Sequence, residues 1–161
     1  VNKDVCSLLP GSGVNLAKNP FEIYPENKKP LFITVGRMIK SKGIDVIIPV
    51  PLHKKKKRLR GYNQSELVAR HLSRLMNIPV NERAVIRVRN TKPQKELSHK
   101  ERRKNLQDAF QLTKHWKGEK NVLLIDDIYT TGNTIDSVAK LLREKGVNKV
   151  WFLTISIGQG F

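Results

Sequence analysis

A single cysteine, Cys6, leaves no partner for an intramolecular disulfide. The four histidines, His53, His71, His99 and His115, stand in no Cys/His spacing that would make a zinc site. Ten aromatic residues are too few to mark the stacking platforms of a typical single-strand binder, although Tyr62, Tyr129 and Trp116 are available for local contacts. No apolar run approaches the length of a membrane span, and the start at Val1, Asn2, Lys3 and Asp4 has no apolar signal-peptide core. These absences argue against a disulfide scaffold and a membrane-spanning helix, and they set the expectation of a cytoplasmic protein with no membrane partner. With 39% apolar residues in 161, one packed domain is the default.

Acidic residues are also scarce, fourteen against thirty-one Lys and Arg, for a net charge of +17. Residues 46–161 carry twenty-four basic and ten acidic side chains, or +14, so the excess lies in the C-terminal three-quarters. Two clusters stand out: Lys54, Lys55, Lys56, Lys57, Arg58 and Arg60, then Lys100, Arg102, Arg103 and Lys104. Such density suits a polyanion, whether pyrophosphate, nucleotide or a DNA backbone. A solvated basic face is the bland alternative.

The pattern alternates strand and helix. Residues 45–50 predict a strand ending in a loop punctuated by Pro49 and Pro51, and the basic run follows as a loop opening a helix. Leu67, Val68, Leu72, Leu75 and Met76 recur with helical period over residues 63–76, with His71 beside them as a half-buried packing residue. Residues 84–88 read as a strand, 88–97 as a mobile loop, and Ser98 to Glu101 as a capping box for a helix through about Gln107. Val122 to Ile125 is a buried parallel strand, Thr134–Lys145 a helix closed by Gly146, and Lys149–Ser156 a last strand. The sum is a parallel α/β sheet with its ligand at the strands' carboxyl ends.

At that end of the central strand stand Asp126 and Asp127, followed by Thr130, Thr131, Gly132, Asn133 and Thr134. A hydroxyl- and glycine-rich turn at a helix N-terminus aims backbone N–H groups, O–H groups and the positive helix dipole at one spot, which suits a phosphate dianion. Two carboxylates cannot ligate that phosphate. They can accept hydrogen bonds from the vicinal hydroxyls of a ribose and help hold a hydrated Mg²⁺. The stretch resembles the signature of phosphoribosyltransferases that bind phosphoribosyl pyrophosphate (PRPP), in which the aspartates hold the ribose and the loop holds the 5′-phosphate. The bland alternative is an ordinary buried strand followed by a capped helix.

Upstream, Ile48, Pro49, Val50, Pro51, Leu52 and His53, then Arg58, Arg60, Gly61, Tyr62, Asn63 and Gln64, then Glu66, Leu67, Ala69 and Arg70, resemble the ComF family. The similarity continues through Arg87, Arg89, Thr91, Gln94, Leu97, Ser98, Glu101, Arg102, Asn105 and Phe110, and covers about residues 46–157. It implies a type I phosphoribosyltransferase-like fold, a parallel sheet with helices on both faces. It also implies Mg²⁺-dependent transfer of phosphoribosyl from PRPP to an unread acceptor, a nucleobase or amine, and a link to DNA uptake in competent bacteria. The implied roles are Asp126 and Asp127 as catalytic ribose-orienting residues, with no protein residue ligating the metal directly, since Mg²⁺ would be held through ribose hydroxyls and pyrophosphate. Thr130, Thr131, Gly132, Asn133 and Thr134 would bind the 5′-phosphate, and His53, Lys54 and Arg60 the pyrophosphate; His53 can equally be a plain turn cap. Lys55, Lys56, Lys57, Arg58, Arg102 and Arg103 are the nucleic-acid candidates. The rival reading is a non-catalytic PRPP- or single-stranded-DNA-binding protein acting with competence proteins.

Residues 1–45 form an atypical segment ahead of a phosphoribosyltransferase-like domain at 46–161. Pro10 to Leu16, Pro30 to Met38, and Lys42 to Asp45 resemble a fragment of the GT-B glycosyltransferases, which would give Arg37 and Lys42 a role at a donor diphosphate. That pattern breaks off at Asp45, so a sugar-nucleotide glycosyltransferase is the remote alternative. A hood over the site or a fusion remnant are the other readings of this segment.

Overall fold

A computed structural model describes residues 5–7, by backbone alone, 39–89 and 109–157. In chain order the elements are β1 (Val5–Ser7), β2 (Val46–Pro49), α1 (Lys54–Arg60), α2 (Gln64–Met76), β3 (Val85–Arg87), β4 (Phe110–Leu112), β5 (Asn121–Tyr129), α3 (Asn133–Arg143) and β6 (Lys149–Ile157). Strands β1, β6, β5 and β2 lie in that order in one sheet, every neighbouring pair parallel. Strands β3 and β4 form a separate antiparallel pair.

Alternation along the strands divides the core in two. Val46, Ile48, Val122, Leu124, Val150 and Phe152 face α3, which answers with Ile135, Val138, Ala139 and Leu142 at helical spacing. The β3–β4 pair joins this layer through Val85 and Phe110. Ile47, Leu123, Ile125 and Leu153 face the other way, against Val68, Ala69, Leu72 and Met76 of α2. Helices therefore cover both faces, as the sequence implied. Ile39 and Ile44 enter the α2 layer and β1 pairs with β6, so the described parts of residues 1–45 share this sheet and core. Leu142 is fully buried. Leu142→Ala is expected to cost about 2–5 kcal/mol of stability in a denaturant melt; a loss under about 1 kcal/mol would mean that α3 is not a core helix.

Two expectations need correction, and one strand is new. The basic run is not a loop: residues 54–60 form α1, whose Lys and Arg side chains are good helix formers, with His53 capping one end and Gly61, at φ 83°, the other. The central strand does not stop at Ile125 but runs through the acidic pair to Tyr129, because β6 continues beside it with Asp126 opposite Thr154 and Ile128 opposite Ser156. Strand β4 is an addition that no sequence pattern marked. The α3 boundaries shift by two residues or fewer, and Gly146, at φ 84°, follows the helix as expected. The capping-box helix from Ser98 and most of the loop at 88–97 lie outside the described residues.

Candidate functional site

Strand β5 outruns β2, whose last rung pairs Pro49 with Ile125. Asp126 and Asp127 therefore emerge at the sheet's carboxyl end with β6 on one side and the loop after β2 on the other. Successive residues of a strand point to opposite faces, and the two carboxylates end in different surroundings. Asp126 is buried, and its Oδ1 accepts a hydrogen bond from the Asp127 backbone N–H at 3.0 Å. Burial pushes its carboxyl well above the usual carboxylate range, and the adjacent Asp127 charge adds to the shift. The Arg87 guanidinium on β3 opposes it. Asp127 keeps 28% of its side chain exposed.

Immediately downstream the chain turns. Gly132 adopts φ 75° and ψ −10°, a left-handed conformation that favours glycine, and no side chain caps the start of α3. Gly132 thus offers the first amides of the helix no side-chain acceptor. Thr131 Oγ1 is buried and has no hydrogen-bond partner among the described residues. Beneath the turn the Tyr129 ring stacks on Phe152, centroids 5.7 Å apart and planes 15° off parallel. A Cβ built on Gly132 would lie 2.9 Å from the Tyr129 hydroxyl. Burial and the Asp136 charge raise the Tyr129 phenol above its ordinary value, so it stays a neutral hydroxyl.

From the other side comes α1. Asn63, buried at the start of α2, donates to the Val50 carbonyl at 3.0 Å and caps Ser65 N–H at 3.2 Å, which fixes the loop after β2 against α2. Arg60, the last residue of α1, puts Nη1 2.7 Å from Gln64 Oε1 and 3.6 Å from Asp127 Oδ2. Lys57 is paired with Glu66 at 2.7 Å. Lys54, Lys55, Lys56 and Arg58 are exposed and make no ion pair with another described residue.

Of the residues singled out in the sequence, Asp126, Asp127, Thr130 to Thr134 and Arg60 come together at the carboxyl end of β5. His53 instead caps α1, its Nδ1 accepting from Lys55 N–H at 3.3 Å. Lys42 lies over the Trp151 ring at 4.8 Å, three rungs along β6 from the acidic pair. Trp116 packs against the core, and Tyr129 lies under the phosphate-loop candidate; neither forms an open stacking platform. Arg102, Arg103 and Arg37 lie outside the described residues. Sequence reasoning gave no separate role to Arg87 or Asn63, and gave Tyr129 only a local stacking contact rather than a place beneath the turn. Asn63 carried a readable signal, a cap residue before an apolar helical period. Arg87 entered only as part of the ComF-like pattern, since it is the tertiary fold that brings its guanidinium within electrostatic reach of Asp126.

Residues 62–156 match the phosphoribosyl transferase domain. The chain belongs to that family, and within it to the ComF-type phosphoribosyltransferase-like proteins. It is 44% identical over 108 residues to competence protein F of Haemophilus influenzae, covering 66% of this chain and 47% of that protein. It is 39% identical over 111 residues to the DNA utilization protein YhgH of Escherichia coli O157:H7, covering 68% and 48%. With competence protein ComFC of Bacillus subtilis it shares 38% over 102 residues, covering 63% and 39%. The chain thus spans half or less of the length of these relatives. Its fold is like that of a purine phosphoribosyltransferase from Pyrococcus horikoshii, at 13% identity and a TM-score of 0.51 over 82% of this chain and 83% of that one. Among the described residues, no helix is long and apolar enough to cross a membrane.

Proposed function

We propose that residues 46–161 bind PRPP with Mg²⁺ and transfer its phosphoribosyl group, releasing pyrophosphate. One observation carries the reading: a carboxylate pair near the carboxyl end of the central strand precedes a helix start that no side chain caps among the described residues, with a left-handed glycine and the buried Thr131 Oγ1, unpartnered among those residues, between them. In this reading Thr130, Thr131, Gly132, Asn133 and Thr134 cradle the 5′-phosphate through backbone N–H and hydroxyl donors. Asp127 accepts from the ribose hydroxyls. Asp126 braces it from below through the Asp127 N–H, and Arg60 meets the pyrophosphate. Among the described residues no three His, Cys, Asp or Glu side chains gather into a metal cage. Mg²⁺ demands less, since it keeps most of its waters: held through ribose hydroxyls and pyrophosphate, it needs from the protein only a part-exposed carboxylate such as Asp127 to accept from its water shell. When bound, the ion would neutralise charge on the departing pyrophosphate. The chain's own part is positioning the sugar and stabilising the leaving group.

The test is calorimetric titration with PRPP, with and without Mg²⁺, followed by assay of pyrophosphate release with nucleobases and amines. Micromolar Mg²⁺-dependent binding supports the site; pyrophosphate release stimulated by an acceptor supports turnover.

The exposed basic face of α1 favours a second reading, single-stranded DNA bound beside the same pocket, in keeping with relatives named for competence and DNA utilization. Changing Lys54, Lys55 and Lys56 together to Gln is expected to lower the salt slope of DNA binding by about 2, while ribose 5-phosphate affinity stays within about twofold. Lys57 is left in place because Glu66 already engages it. Unchanged DNA binding would return the run to a solvated basic surface.

A further inference from the structure

We infer that Arg60 makes the ribose site selective for a sugar bearing a diphosphate, because it occupies Asp127 until a diphosphate draws it away. The inference rests on the phosphosugar reading above. Helix α1 buries no residue. Among the described residues its side chains reach the body of the domain through polar contacts, Lys57 to Glu66 at 2.7 and 2.8 Å and Arg60 to Gln64 at 2.7 Å. It can therefore shift without opening the core.

The same Arg60 nitrogen that bonds Gln64 lies 3.6 Å from Asp127 Oδ2, an ion pair rather than a hydrogen bond. A ribose hydroxyl that donates to Asp127 must share this carboxylate with the guanidinium. Ribose 5-phosphate, which ends at a C1 hydroxyl, offers Arg60 nothing in exchange. A diphosphate at C1 offers two anionic oxygens that the planar guanidinium can engage in parallel, a stronger contact than the one it leaves. Preference arises from this difference, since a ligand shifts an equilibrium only by its differential affinity for the two arrangements.

The expected size is set by exposure. Arg60 and Asp127 keep 48% and 28% of their side chains in solvent, and a pair so exposed holds affinity down by no more than about fivefold. Charge-assisted contact to a diphosphate is worth about tenfold or more. Arg60→Gln, with Asp127 retained, should then bind ribose 5-phosphate about two- to fivefold more tightly and PRPP at least about tenfold more weakly, each with Mg²⁺. The gain for ribose 5-phosphate should vanish when Arg60→Gln is made in an Asp127→Asn background, where the pair no longer exists. Equal weakening of both ligands by Arg60→Gln would make Arg60 a plain anion contact and overturn the inference, as would no change in either. A wild-type protein that binds neither ligand would sink the phosphosugar reading itself, and this inference with it.

Discussion

Gly132→Val is expected to abolish binding of PRPP and ribose 5-phosphate alike, with a loss of at least about 100-fold, or about 2.7 kcal/mol. Two effects combine. The backbone at φ 75° is one that a β-branched residue adopts only at a cost of about 1–2 kcal/mol. The new Cβ would also meet the Tyr129 hydroxyl at 2.9 Å and ring carbons at 3.3 Å. That ring is stacked on Phe152, so it gives way only by leaving its partner. The cheaper response is for the turn to re-route, which carries the Asn133 and Thr134 amides off their target. Gly132→Ala should show a smaller loss, and Tyr129→Ala in the same chain should recover the part due to the contact but not the part due to φ. Titration with ribose 5-phosphate isolates the cradle from the pyrophosphate end, and a thermal melt reports whether the fold survives. Normal ribose 5-phosphate affinity in a folded Gly132→Val protein would place the anchor elsewhere.

How much of this site was legible depended on whether a feature was local. Val122 to Ile125 reads as a buried strand because four apolar residues flanked by polar ones have few other solutions. The continuation through Asp126, Asp127, Ile128 and Tyr129 does not read so, because two carboxylates break the apolar pattern; β6 running alongside decides it. The turn at Gly132 was readable from its composition, yet the Tyr129 ring beneath it was not, since Phe152 arrives from the next strand. Helix α1 was misread because six like charges in seven residues look like a solvated loop. Its capping residues were in the sequence, at His53 and Gly61, and they outweigh the repulsion. Strand β4 is three residues long and pairs with a strand more than twenty residues away, which no window-based pattern detects. Arg87 belongs with it: a charge opposite Asp126 is visible only after β3 has been laid against the layer that holds α3.

Asp126 and Asp127 should respond differently to amide replacement, and the contrast tests both the ribose assignment and the buried charge. Asp127→Asn leaves a neutral acceptor at the half-exposed position, and a hydrogen bond to a charged acceptor is roughly twice as strong as one to a neutral one. Mg²⁺-dependent PRPP affinity should fall at least about tenfold, or about 1.4 kcal/mol, with little change in melting temperature. Asp126→Asn acts on a carboxylate whose ionisation is opposed first by burial and then by the charge of Asp127, with the Asp127 N–H and Arg87 pulling the other way. A carboxyl raised on folding contributes stability that is fully present below the unfolded-chain value and is lost as pH rises through the folded one. Wild-type protein should therefore lose melting temperature on going from acid to neutral pH relative to Asp126→Asn, and the two should converge in acid. The Asn side chain still accepts from Asp127 N–H, so the strand end keeps its shape, but the brace loses its charge and PRPP binding weakens. In wild type, PRPP affinity should in turn fall as the pH is lowered through the titration of Asp126. The double variant should remain folded and fail to bind. Parallel melting curves for wild type and Asp126→Asn across pH would remove the buried-charge argument, and undiminished PRPP affinity in the folded double variant would remove the ribose assignment.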